Sequence, residues 1–103
     1  MKLMTKEIES KIKPLRYYEN SGEDALAILK YFDPSGSWTW YAAEGQKQQD
    51  GDWLFWGAVD GFEYGYFTLR ELEHAKGRCR GLRSLPIERD LYFTAVPLSE
   101  LRR

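Results

Sequence analysis

Residues 36–67 read GSWTWYAAEGQKQQDGDWLFWGAVDGFEYGYF and hold all four tryptophans of the chain. Two ring-rich runs, Ser37–Glu44 (SWTWYAAE) and Trp53–Asp60 (WLFWGAVD), flank the polar segment Gly45–Asp52 (GQKQQDGD). That link is too short to contain a crossover helix, so the runs read as two antiparallel strands of a hairpin. Successive side chains of a strand point to opposite faces. Trp38, Trp40 and Ala42 therefore share one face of the first strand, and Thr39, Tyr41 and Ala43 the other. In the second strand Trp53, Phe55 and Val59 oppose Leu54, Trp56 and Ala58. Both faces are apolar. One must meet helices; the other is either covered as well or left as an exposed aromatic surface. Asp60-Gly61 then signals a turn, and Glu63–Tyr66 reads as its continuation.

Working outward, Thr5 is placed to cap a helix over 5–13. Ile8 and Ile12 lie on one face of it, and Pro14 stops it. Residues 17–24 (YYENSGED) read as a polar loop. Residues 25–32 (ALAILKYF) read as a strand ending at the turn Asp33-Pro34-Ser35-Gly36. On the other side, Thr68 and Glu71 form a capping box for a second helix over 68–76, with Leu69 and Leu72 inward and Gly77 as its stop. A basic loop over 77–85 (GRCRGLRSL) leads to a last strand over 87–96, with Leu91 and Phe93 on one face and Tyr92 on the other. Strands grouped between two helices predict an α+β domain covering 1–103, built on an antiparallel sheet of about four strands.

The chain has 103 residues and a net charge of −1, which disfavours a protein dominated by phosphate contacts. Basic residues concentrate at the ends and acidic ones in the middle, a distribution that steers a partner without naming it. A single cysteine excludes an internal disulfide. With no signal peptide and no membrane span in the sequence, a cytoplasmic location is expected.

The candidate chemistry is sparse. Glu44, Asp50, Asp52, Asp60 and Glu63 match no ligand-loop spacing and read as turn acids. His74 is the only histidine, so neither a metal nor a cofactor is expected. A Cys79–His74 pair lacks an orienting third group. Arg78, Arg80 and Arg83 could hold an anion, and Arg89 is expected to pair with an acid of the neighbouring strand, such as Glu44 or Asp60. The ring set exceeds what one sheet face and two helices can bury, and surplus Trp and Tyr are the residues of binding surfaces. The candidate binding residues are Trp38, Trp40, Tyr41 and Trp56 of the hairpin, Glu63, Tyr64 and Tyr66 beyond it, and Arg78, Arg80 and Arg89.

WTWY at 38–41, FWG at 55–57, GYFTLREL at 65–72 and IERDLYF at 87–93 occur in order. Together with the opening MKLMTKEIESKIKPL they resemble a bacterial family catalogued as domain of unknown function 2958. The resemblance covers almost the whole chain. It implies a compact single-domain protein of a kind often carried on plasmids and other mobile elements, and it implies no activity. The leading expectation is a non-catalytic module, monomeric or weakly dimeric, that binds a protein through the aromatic hairpin face. Single-stranded nucleic-acid binding by ring stacking, with the Arg loop on phosphates, is one alternative. A small enzyme using Glu44, Asp60 or Glu63, with Arg89 as electrostatic partner, is another.

Overall fold

A computed structural model describes residues 2–36, 38–60, 63–75 and 85–101. In chain order it contains α1 (Lys6–Lys11), α2 (Tyr17–Ser21), β1 (Leu26–Ala27), β2 (Leu29–Phe32) and β3 (Thr39–Lys47). These are followed by β4 (Trp53–Val59), β5 (Glu63–Thr68), α3 (Leu69–His74), β6 (Glu88–Arg89), β7 (Val96–Pro97) and a closing 3-10 helix (Leu98–Leu101). The main sheet has five antiparallel strands in the order β5-β4-β3-β2-β6, and β1 and β7 form a separate two-stranded pair. The α+β expectation is met.

The β3–β4 hairpin is the centre of the sheet. Its register shifts between Ala42 and Glu44, which leaves Ala43 as an extra, bulged residue. One inserted residue moves everything beyond it to the opposite face, because the side-chain period is two. Trp40 and Ala42 lie opposite Val59 and Gly57, whereas beyond the bulge it is Gly45 that lies opposite Phe55. Glu44 is thereby turned to the face of Tyr41 and Trp56. Gly57 has no alternative at its position: a Cβ there would fall onto the Tyr41 carbonyl.

Each sheet face carries a core. On the first face Leu29, Tyr31, Trp40, Phe55 and Phe67 are buried under Ile8 and Ile12 on one side and Leu69 and Leu72 of α3 on the other. Thr5 Oγ1 accepts from the Ile8 N–H at 3.2 Å, and Thr68 Oγ1 accepts from the Glu71 N–H at 3.1 Å, so both expected caps hold. The Glu71 carboxylate returns to the Thr68 hydroxyl at 3.2 Å. Asp52 joins α3 to the hairpin by accepting from the N–H groups of both Trp53 and Arg70. The second face buries a smaller cluster, Ala27, Ala43, Ala58 and Leu98, flanked by Tyr18, Tyr41, Trp56 and Phe93. The question of the second face is thus resolved: one end is covered, by β1, β7 and the 3-10 helix.

Five boundaries differ from the sequence reading. The first helix ends at Lys11, because Ile12 is already extended and Lys13 bridges to Glu44 beside the sheet. Residues 17–21 form α2 rather than loop, closed by Gly22 in the left-handed region (φ 74°). The run 25–32 breaks at Ile28, whose N–H bonds the Ala42 carbonyl next to the bulge; Ala27 then turns to the second core and Leu29 to the first. Residues 63–66 are not a turn but the start of edge strand β5, continuous with β4 from Glu63 to Thr68. The expected last strand shrinks to Glu88–Arg89, because the Asp90 carboxylate accepts from the Tyr92 N–H at 2.9 Å and bends the chain into a turn. Leu91 and Tyr92 are consequently exposed.

Candidate binding site on the second sheet face

The uncovered part of the second face is set by Glu44. Its carboxylate is 4 % exposed and accepts two backbone N–H bonds, from Arg16 at 2.8 Å and from Tyr18 at 2.9 Å. Charge-assisted bonds of this kind are about twice as strong as neutral ones. They hold the start of α2 above Trp56, the residue directly opposite Glu44 in the hairpin. Arg16 is the one non-glycine residue with positive φ (69°) among those described. A left-handed conformation costs roughly 1 kcal/mol or more in a residue with a Cβ. The Glu44 anchor offsets that cost, since it requires the N–H groups of residues 16 and 18 to point at one carboxylate.

A groove of about 340 Å³ opens between α2 and the β4–β5 edge. Tyr18, Trp56 and Tyr66 form its aromatic walls, and Glu19, Glu23, Glu44 and Arg16 supply its charged groups. The Arg16 guanidinium reaches Glu19 with Nε at 3.1 Å and Nη2 at 3.4 Å; that hydrogen bond, with the attraction between the charges, holds its pKa above the ordinary value. Glu23 accepts from the Tyr17 hydroxyl and raises the pKa of that phenol. Across β4 and β5, Tyr66 lies opposite Trp56 and Tyr64 opposite Ala58, and the Tyr64 and Trp56 rings pack at 5.8 Å. Tyr64 is 47 % and Tyr66 61 % exposed.

Of the residues singled out in the sequence, the structure brings Trp56, Tyr64 and Tyr66 together on this face. Trp40 is buried in the first core, and Trp38 packs beside it with ring centroids 6.0 Å apart. Tyr41 shares the second face but belongs to its core, 5.7 Å from the Phe93 ring and with the Lys30 ammonium above it. Glu63 begins β5 opposite Val59, on the first-face side of the sheet. Arg78 and Arg80, with Arg83 and Cys79, lie outside the described residues. Arg89 stands apart from Glu44 and Asp60. Its strand pairs with β2, where it lies opposite Tyr31, and its Nε donates to the Lys2 carbonyl at 3.3 Å. Glu44 is engaged with α2, and Asp60 follows β4, with β2 and β3 between.

Glu44 stands apart from Asp60 and Glu63, which lie at the adjoining ends of β4 and β5. Glu44 projects from the second face in mid-hairpin, while Glu63 belongs to the first face at the far end of β5. Among the described residues no three His, Cys, Asp or Glu side chains are grouped to hold a metal ion, and no helix is long and apolar enough to cross a membrane. The sequence reading missed Arg16, Tyr18, Glu19 and Glu23. The usable signal was the short run YYENSG, a helical turn closed by glycine, but nothing local tied it to a glutamate 26 residues further on.

The fold and groove define a small α+β domain in which one antiparallel sheet carries a core on each face and an aromatic groove at one edge. The model of the family DUF2958, proteins of unknown function, matches residues 3–102, and the chain belongs to that family. No curated protein and no solved structure shows a significant match.

Proposed function

We propose that this protein is a binding module that engages a partner protein through the aromatic end of the second sheet face. The observation that carries this reading is the adjacency of Trp56, Tyr64 and Tyr66 on the outer two strands, with Tyr64 and Tyr66 about half exposed or more beside a groove. Tyr and Trp in such a position give large contact area at low entropic cost and are the common anchors of protein interfaces. Strand β5 adds to the surface. It is an edge strand of six residues, in register throughout, with no proline, lysine or bulge to deter pairing. The opposite edge, β6, is two residues long and charged at both. An extended segment of a partner can add to β5 by main-chain bonds while its side chains meet Tyr64 and Tyr66. The implied setting is a bacterial cytoplasm, with an accessory or defence-countering role on a mobile element; that part rests on the family resemblance alone.

Site-directed photo-cross-linking tests the reading. A benzophenone amino acid at Tyr66 is expected to give a discrete protein adduct in the native host, abolished by Trp56→Ala in the same chain. The same probe at Tyr92, 93 % exposed but remote from the groove, is the control. Equal adducts at both positions, or none at Tyr66, reject the surface.

A further inference from the structure

We propose that the groove between α2 and the β4–β5 edge receives an arginine or lysine side chain of the partner protein, an inference that rests on the binding-module reading and specifies its anchor. The walls are the rings of Tyr18, Trp56 and Tyr66, and ring faces attract cations, tryptophan most strongly. The charge around them has one sign in excess: three carboxylates, Glu19, Glu23 and Glu44, against the single guanidinium of Arg16. An anionic ligand would meet that excess at close range. A neutral apolar plug would strip water from the Glu23 carboxylate without replacing it.

Arg16 shows what the rim accepts. Its guanidinium already lies against both oxygens of Glu19, 68 % exposed, and it neutralises part of the field that a ligand cation would use. The groove volume of about 340 Å³ admits one long side chain with its flanking backbone. Tyr66 stands on the edge strand itself, so a side chain from a segment paired with β5 has only that ring to cross before it meets Trp56. Glu44 contributes charge to the groove and little else, because its oxygens are committed to the N–H groups of Arg16 and Tyr18. The adjustable anion is Glu23, which is exposed.

The test is a titration of the isotope-labelled full chain with acetylated tripeptide amides whose central residue is arginine, lysine or glutamine. The Trp56 indole N–H and the Tyr66 amide are followed by NMR. Saturable shifts are expected with the two basic probes and not with the glutamine probe, weakening as salt is added. Glu23→Gln should weaken the basic probes about threefold and Arg16→Gln should tighten them by a similar factor, the scale of an exposed charge pair. Both substitutions are at the surface, and the amide spectrum confirms that each variant is folded. An equal response to the glutamine probe, no saturable shift at Trp56, or effects of the same sign in the two variants overturns the cationic anchor. So does a saturable Trp56 shift with a thymidine oligonucleotide in place of the basic probes. If the anchor fails while the Tyr66 cross-link persists, only the ligand chemistry is wrong; loss of both removes the binding surface itself.

Discussion

Tyr31 is held both by packing and by a hydrogen bond. It is fully buried on the first face, 6.0 Å from Phe55 and 6.5 Å from Phe67 by ring centroids, and its hydroxyl donates to the Leu3 carbonyl at 2.6 Å. Burial pushes its phenol well above the usual tyrosine range; Arg89 pulls back against this and Glu73 adds to it. The sign of the linkage follows. The folded-state pKa exceeds the unfolded one, so this stability contribution is complete below about pH 10 and is lost as pH rises beyond it. Tyr31→Phe should cost about 1 kcal/mol at neutral pH through the lost hydrogen bond. Its deficit relative to the native chain should then stay constant up to about pH 9 and shrink as pH rises beyond about 10, because phenylalanine cannot ionise. Urea midpoints across that range check this, and parallel curves for the two chains would refute it.

At the scale of elements, a bulge and a carboxylate together decide where α2 sits. Ala43 inserts into the hairpin, Glu44 changes face, and five residues with no buried side chain among them become a docked helix. Such a segment has no stability of its own, since helices shorter than about 12 residues are marginal in water. Glu44→Ala leaves two partly buried N–H groups without an acceptor. It is expected to destabilise the protein by about 2–4 kcal/mol, whereas Glu44→Gln keeps one oxygen acceptor and should cost about half as much. Amide exchange at Arg16 and Tyr18 should rise most in the alanine variant. Unchanged protection there would show that α2 is held by something other than Glu44. The bulge and the docking of α2 onto Glu44 were both invisible in the local sequence: SWTWYAAE alternates as an ordinary strand, and the extra residue is felt only when the partner strand is in place.

For the whole molecule, the notable property is a single sheet with a core on each face. The first core is large and ring-rich; the second is small, and among the described residues Leu98 is its one large, fully buried side chain. The 3-10 helix is tied to the fold by the Leu98 N–H bonding the Ala25 carbonyl at 2.9 Å, which links the C-terminal region to β1. Leu98→Ala should cost about 2–4 kcal/mol by cavity formation. It should also loosen the second face, increasing the exposure of Trp56 and Tyr41 to a fluorescence quencher while leaving Trp40 and Trp53 protected. A uniform increase at all four tryptophans would mean that the two faces do not respond separately.

The sequence by itself determined the α+β class, the antiparallel hairpin of the runs 37–44 and 53–60, and both capped helices with their inward residues Ile8, Ile12, Leu69 and Leu72. Those features follow from local physics: side-chain alternation, Thr caps, glycine and proline punctuation, and dense apolar runs. Tertiary structure alone decided that Glu63–Tyr66 is a strand, that residues 17–21 are a helix, and that the run 87–96 is mostly not a strand. It also decided that Trp40 and Tyr41 are core while Trp56, Tyr64 and Tyr66 face a groove. The reason is the same in each case. These outcomes depend on which strand lies beside which, on one inserted residue that reverses the faces, and on a bond from Glu44 to backbone 26 and 28 residues earlier. Pairings of that range leave no periodic trace in the segments they join.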